Sequence, residues 1–197
     1  VIDGGSLKSV VPALNWLQSD WGFNLSKRHI TVSTSGYLAG IQQLINDQIH
    51  LNLAFSVGSA SPHIREKIMP IEKRNPITEV AQKLSEYAKL HNRKLTLEYT
   101  LLDNVNDTEN CAQQLANLAI FLNAKVNLIN LNPHPKIPFQ PVSTSTLMQF
   151  KDILIKQNIR TTVRYSKGQD VIAACKLFSR KESEEDFKEH WKFKMHK

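Results

Sequence analysis

Cysteine is scarce: the 197-residue chain has two, Cys111 and Cys175. Two thiols cannot build a disulfide framework, a four-thiolate zinc site or a three-cysteine iron–sulfur site, and they suit a reducing compartment, cytoplasmic or organellar. Long apolar runs are missing as well. No stretch approaches the roughly 18 residues of a membrane-crossing helix. The start, Val1-Ile-Asp-Gly-Gly5, has neither the basic nor the apolar part of a signal peptide. Seven glycines and eight prolines are too few and too dispersed for a low-complexity linker, and no internal repeat is visible. The glycine-rich dinucleotide fingerprint, the phosphate-loop lysine motif and the His-Glu-x-x-His zinc motif are all absent. What is left is one domain's worth of chain, long enough for a core. Because the first residue is Val1 rather than Met, an upstream portion carrying further chemistry is expected.

The residues that are present alternate in pattern. Five stretches rich in β-branched residues, 29–35, 51–57, 95–102, 125–131 and 160–166, read as strands. Between them lie helical stripes: Val10, Leu14, Leu17 and Trp21; Tyr37, Leu38, Ile41, Leu44 and Ile45; Ile77, Val80, Leu84 and Tyr87; Leu115, Leu118, Phe121 and Leu122; Leu147, Phe150 and Leu154. Asp107, Thr108 and Glu109 suit a helix N-terminus, as does the hydroxyl run Ser143-Thr-Ser145. Strand alternating with helix predicts an α/β domain with a parallel sheet.

Parallel strands buried on both faces usually read as unbroken apolar runs. These strands instead alternate, with Ile30, Val32 and Thr34 against Thr31, Ser33 and Ser35, and Leu95, Leu97, Tyr99 and Leu101 against Thr96, Glu98 and Thr100. Helix crossovers cover the apolar face, so the polar face should line the inside of a barrel or curved sheet: either a ligand cavity or a lumen filled with hydroxyls and water. Glu98 in mid-strand needs water, a partner or a ligand. Sites in strand–helix barrels lie at the C-terminal strand ends, here 33–36, 56–60, 103–107 and 130–135. Their hydroxyls, glycines and asparagines can bind a nucleoside-like cofactor or simply serve as turn residues.

The formal net charge is +7, and residues 125–168 hold seven basic side chains (Lys125, Lys136, Lys151, Lys156, Arg160, Arg164, Lys167) against one acid, Asp152. Such a segment is either a solvated face or a surface for backbone phosphates. Cys111 falls on a helical stripe and reads as a small core residue. By composition alone Cys175, in Val171-Ile-Ala-Ala-Cys175, could equally be a buried structural thiol.

Five motifs add a resemblance. Leu25-Ser-Lys-Arg-His-Ile-Thr-Val-Ser-Thr-Ser-Gly36, Ile64-Arg-Glu-Lys-Ile-Met-Pro-Ile71, Leu97-Glu-Tyr-Thr-Leu-Leu-Asp-Asn-Val-Asn-Asp107, Asn127-Leu-Ile-Asn-Leu-Asn-Pro133 and Lys167-Gly-Gln-Asp-Val-Ile-Ala-Ala-Cys175 follow one another as in the RlmN/Cfr family of radical SAM RNA methyltransferases. Residues 10–178 resemble the C-terminal portion of that family. The resemblance implies about the second half of a six-stranded (βα) barrel over 1–178, with a methyl-carrier loop, and a charged tail over 179–197. It implies S-adenosylmethionine as both methyl donor and radical source, a [4Fe-4S] cluster with its reductant, and methylation of an adenine, typically at carbon 2, in 23S rRNA and some tRNAs.

By the same resemblance Cys175 matches the methyl-carrying cysteine, with Gly168 and Asp170 in its context, and Ser33, Ser56, Val57, Gly58 and Asn132 match cofactor contacts. Arg164 and Lys167 are the expected RNA contacts. The family's three cluster cysteines are expected upstream of Val1. Near its Gly-Glu-Pro motif this chain reads Val-Ile-Asp-Gly-Gly-Ser-Leu7, and Gly58 stands where the family has histidine. The expected function is therefore radical SAM methylation of RNA as part of a longer chain; the present 197 residues alone would be inactive. The alternatives are a non-catalytic RNA-binding relative, or an unrelated barrel enzyme for a phosphorylated small molecule.

Overall fold

The computed structural model describes residues 7–92, 95–133 and 137–164. The elements run α1 (Leu7–Gln18), β1 (Thr31–Thr34), α2 (Leu38–Asn46), β2 (Asn52–Ser56), α3 (Pro62–Ile68), α4 (Ile77–His91), β3 (Thr96–Leu101), α5 (Glu109–Phe121), β4 (Lys125–Asn130), α6 (Thr144–Lys156) and β5 (Thr161–Arg164). All five expected strands form, each within its predicted stretch. They pair in parallel in the order β1-β2-β3-β4-β5. Because strand-to-strand crossovers are right-handed, a sheet whose strands follow sequence order receives every helix on one face. This is the arrangement of a (βα) barrel open along one side, an α/β fold as expected.

Burial follows from that one-sidedness. Val32, Leu53, Phe55, Leu97, Tyr99, Val126 and Leu128 face the helices and pack with Ile41, Leu44, Val80, Leu84, Leu115 and Leu154 in one core. The opposite face carries Ser33, Ser56, Thr96, Glu98, Thr100 and Asn127, all half-buried. In β3 the two classes alternate residue by residue.

Local chemistry sets the helix ends. The Thr108 hydroxyl accepts from Cys111 N–H at the start of α5, and Ser143 accepts from Thr146 N–H at the start of α6, each satisfying a donor that has no partner within the helix. Asn92 closes α4 in the left-handed conformation. Two stripe assignments are corrected. Helix α1 stops at Gln18, so Trp21 leaves the stripe and stands 97% exposed, and Phe121 turns outward at the end of α5. The short helix α3 and the 3₁₀ turn Pro70–Lys73 were not legible in periodicity, being too short to show one.

Tyr87 of α4 anchors the entry to β2. Its hydroxyl accepts from Leu51 N–H at 2.8 Å and lies 2.9 Å from the carbonyls of both Ile49 and Leu51. Tyr87→Phe therefore leaves a buried N–H without an acceptor and is expected to cost about 1–3 kcal/mol. Urea unfolding followed by circular dichroism measures this loss, with the m-value unchanged.

Candidate functional site

The expected site lies at the C-terminal edge of the sheet, and buried polar side chains hold its loops in place. The first loop follows β1. Thr34, 1% exposed, accepts from Gly36 N–H at 3.1 Å, and Gly36 sits at φ +95°, where a Cβ would fall 3.0 Å from Phe55 and 3.1 Å from Val80. A side chain there would be both strained and crowded. Asn75, from the turn before α4, accepts from Leu38 N–H at 2.8 Å and so supplies the N-terminus of α2 with the acceptor that Tyr37 cannot offer.

Arg65 of α3 joins this loop to the next. It has no solvent exposure. Its Nε donates to the Val57 carbonyl at 2.9 Å, one terminal nitrogen donates to the Ser35 carbonyl at 2.6 Å, and the other pairs with Glu72. The Glu72 carboxylate also accepts from Ile77 N–H at the start of α4. The guanidinium lies 5.6 Å from the centre of the Phe55 ring, within cation–π range. Burial pulls the Arg65 pKa below its ordinary value, and the bond and charge of Glu72 oppose that pull. One cation thus fixes the carbonyls that follow β1 and β2 and ties both to α4.

Asn106 does the same for β2 and β3. Fully buried, it donates to the carbonyls of Gly58 (2.7 Å) and Thr100 (2.9 Å) and accepts from Leu102 N–H (2.8 Å). Its own carbonyl accepts from the Tyr99 hydroxyl at 2.7 Å. Burial, reinforced by the neighbouring Cys111, pushes the Tyr99 phenol well above its ordinary pKa, so it retains the proton it donates. The loop after β4 is held by Asn130, whose amide group exchanges hydrogen bonds with the main chain of Val142 (2.9 and 3.0 Å), and is joined to the loop after β3 by Asp103 N–H donating to the Gln140 carbonyl at 2.9 Å. A second apolar cluster, Ile68, Met69, Leu102, Leu131, Ile137 and Phe139, packs among these loops.

Of the residues singled out in the sequence, Ser33 and Ser56 are half-buried on the helix-free face. Val57 is fully buried in the core, its N–H given to the Glu98 carbonyl (2.9 Å) and its carbonyl held by Arg65. It therefore presents main chain rather than a side chain to the loop. Gly58 sits at φ +67°, and a Cβ there would fall 2.3 Å from the Met69 sulfur. Met69 thus occupies the space that a side chain at position 58 would need. Asn132 is half-buried in the loop after β4. These positions share one edge of the sheet. Cys175 and Lys167 lie outside the described residues, as do Gly168, Asp170 and the tail 179–197.

Arg164 is exposed at the C-terminal end of β5. The described basic residues of the charged segment do not share its position. Lys125 and Arg160 stand at the N-terminal ends of β4 and β5, and Lys156 ends α6, which runs back toward that same end. Cys111 is buried in the core, 3.2 Å from the Thr108 hydroxyl, as its stripe predicted. Among the described residues no three His, Cys, Asp or Glu side chains form a metal-binding group, and no helix is long and apolar enough to cross a membrane.

Sequence reasoning did not single out Arg65, Glu72 or Asn106. The available signals were an Arg and a Glu seven positions apart around a Met-Pro break, and an Asn two residues beyond another Asn in a loop. Neither pattern announces a buried bracket.

Breaking the Arg65 bracket is expected to be severe. Arg65→Met leaves Glu72 buried without its cation and should cost about 3–5 kcal/mol, read from urea denaturation. Adding Glu72→Met should recover only part of the loss, since two carbonyls and the Ile77 N–H stay without partners. Full recovery would mean that the bracket is replaceable by simple packing.

No family model matches the chain. The chain is 39% identical over 172 residues to the probable dual-specificity RNA methyltransferase RlmN of Aquifex aeolicus, covering 85% of this chain and 49% of that protein. It is 36% identical over 178 residues to the dual-specificity RNA methyltransferase RlmN of Syntrophus aciditrophicus, covering 90% and 51%. Among solved structures, a radical SAM methyltransferase from Sphaerobacter thermophilus superposes with a TM-score of 0.81 at 36% identity, covering 86% of this chain and 50% of that one. The chain spans about half the length of the relatives it matches. Over most of its own length, in sequence and in fold, this chain is a homologue of the C-terminal portion of the RlmN/Cfr radical SAM methyltransferases.

Proposed function

We propose that this chain forms the cofactor-facing and methyl-carrying part of a radical SAM RNA methyltransferase that modifies an adenine, at carbon 2, in 23S rRNA and in tRNA. What supports the reading best is the shared placement of Ser33, Ser56, Gly58 and Asn132 at one edge of a helix-free, hydroxyl-lined face. The donor set there suits S-adenosylmethionine: small hydroxyls and an amide can hydrogen-bond a nucleoside and an amino-acid group, and the loops carrying them are pre-positioned by Arg65, Asn106 and Asn130. When bound, that cofactor supplies the methyl group and the radical chemistry, while the protein binds and orients it. Ser33 and Ser56 would hold the nucleoside part and Asn132 a second polar group.

The chain's own residues do not fit an iron–sulfur cluster. Three thiolates are needed, two cysteines are present, and Cys111 is in the core. The cluster ligands and the delivery of electrons are therefore assigned to the portion of the relatives that this chain does not match. Cys175 would carry the methyl group on its sulfur, and Arg164 with Lys167 would contact RNA phosphates, which lowers the free energy of association by releasing counterions.

A second reading, an RNA-binding relative without catalysis, is favoured by Gly58 in place of histidine and by Val-Ile-Asp-Gly-Gly-Ser-Leu7 near the expected Gly-Glu-Pro. The two readings separate in a chimaera joining this chain to the cluster-bearing half of an RlmN relative. The enzyme reading expects RNA methylation, abolished by Cys175→Ala with RNA affinity retained. Normal turnover of that variant refutes the role of Cys175, and a folded chimaera that binds RNA without methylating it favours the second reading.

The RNA interface is tested on the chain itself. Replacing Arg164 and Lys167 by Ala should weaken RNA binding and reduce the slope of log K against log salt by about 0.7–0.9 for each phosphate no longer neutralised. An unchanged slope returns these residues to solvent.

A further inference from the structure

Glu98 is the one acidic residue on the described strands of the open face. It lies in the middle of β3, half-buried, and the strand register sets it beside Ser56 on one side and Asn127 on the other. Its carbonyl accepts from Val57 N–H at 2.9 Å, so its main chain is locked to the loop that carries Ser56 and Gly58. Its carboxylate makes no hydrogen bond or ion pair with any described residue. By contrast the next polar group in the same row is paired: Asn127 Oδ1 accepts from the Thr162 hydroxyl at 3.1 Å. Lys125, in register with Thr96, stands one row toward the N-terminal end of this face and makes no ion pair with Glu98, while Arg164 pairs in register with Ile129, beyond the Glu98 row. From strand spacing its Cα stands about 12 Å away.

A half-buried carboxylate without a partner is costly, and parallel strands rarely carry one. Ionised, it offers acceptors only, so its complement is a pair of donors or a cation. Two oxygens about 2 Å apart match two adjacent hydroxyls, the way an acidic residue grips a ribose in dinucleotide-binding folds. We propose that Glu98 is a ligand-binding residue whose carboxylate accepts the vicinal hydroxyls of a ribose, and that it thereby selects a ribonucleoside cofactor over the open face. This rests on the reading of the site as one for S-adenosylmethionine.

Calorimetric titration of the chain with S-adenosylmethionine and S-adenosylhomocysteine tests it, with adenosine and 2′,3′-dideoxyadenosine as the hydroxyl pair. Glu98→Gln, nearly isosteric, should weaken S-adenosylmethionine and S-adenosylhomocysteine alike by about tenfold or more. Wild type should prefer adenosine to its dideoxy form, and the substitution should erase that preference. Weakening of S-adenosylmethionine alone would place Glu98 against the positive sulfur and overturn the ribose assignment. If Ser33→Ala or Ser56→Ala weakens binding but Glu98→Gln does not, Glu98 falls while the cofactor reading stands. A wild-type chain that binds none of the four compounds removes the cofactor reading and Glu98 with it. Should Glu98→Gln not fold by circular dichroism, equal wild-type affinity for adenosine and dideoxyadenosine overturns the proposal by itself.

Discussion

A guanidinium without solvent exposure governs the functional edge of this molecule. Arg65 reaches from a two-turn helix to the carbonyls that end β1 and β2, while Glu72 neutralises it and ties the assembly to the first turn of α4. Such a pair contributes little net stability compared with apolar residues of the same volume, because both charges lose their hydration. Its value is geometric. A guanidinium presents five donors in a rigid plane, so the two loops are held at a spacing that aliphatic packing would leave to slide. Asn106 repeats the device one strand further on, spending its amide on Gly58, Thr100 and Leu102.

These brackets matter because the fold places its main core elsewhere. With strands in sequence order and crossovers of one hand, every helix packs on one face, and the core that forms there leaves the opposite face to polar side chains. The strand-end loops cannot draw on that core, and they carry a small apolar cluster of their own together with the buried Arg and Asn. A face free of helices, rimmed by loops of fixed spacing, is a place where a ligand can be gripped without the scaffold having to move. Pre-organisation of this kind is what positions a cofactor whose chemistry is its own.

The homology covers about half of each relative, and the division has chemical content. The matched half contributes hydroxyls, amides, a mid-strand carboxylate and an exposed arginine at one sheet edge. It does not contribute three thiolates. On the proposed function, methyl transfer through a radical would need both sets, and the surfaces of this chain would form one side of a shared site. The polarity of the open face expresses the same point, since a lumen lined with Ser, Thr, Glu and Asn is built against something other than a hydrocarbon core.

Much of this was legible in the residue order. Alternation such as Leu97, Tyr99 and Leu101 against Thr96, Glu98 and Thr100 named the strand, its two faces and the presence of an open side, because the pleat allows no other reading. Helical spacing located α2, α4, α5 and α6, and hydroxyls marked two of their N-termini. Motif spacing supplied the family. Only the tertiary structure decided the rest. Trp21 leaves its stripe because α1 ends at Gln18, and Phe121 because the buried face of α5 runs through Cys111, Ala112, Leu115, Ala116 and Ala119, small residues that periodicity of large ones does not record. The basic segment 125–168 looked like one surface in sequence, yet its described members stand at opposite ends of the sheet, because strand and returning helix carry neighbouring residues apart. Arg65 and Asn106 read as ordinary polar residues until the chain brought Ser35, Val57 and Gly58 around them. A hydrogen bond between residues 30 or 48 positions apart leaves no local trace in sequence, since its geometry exists only once the strands between have paired.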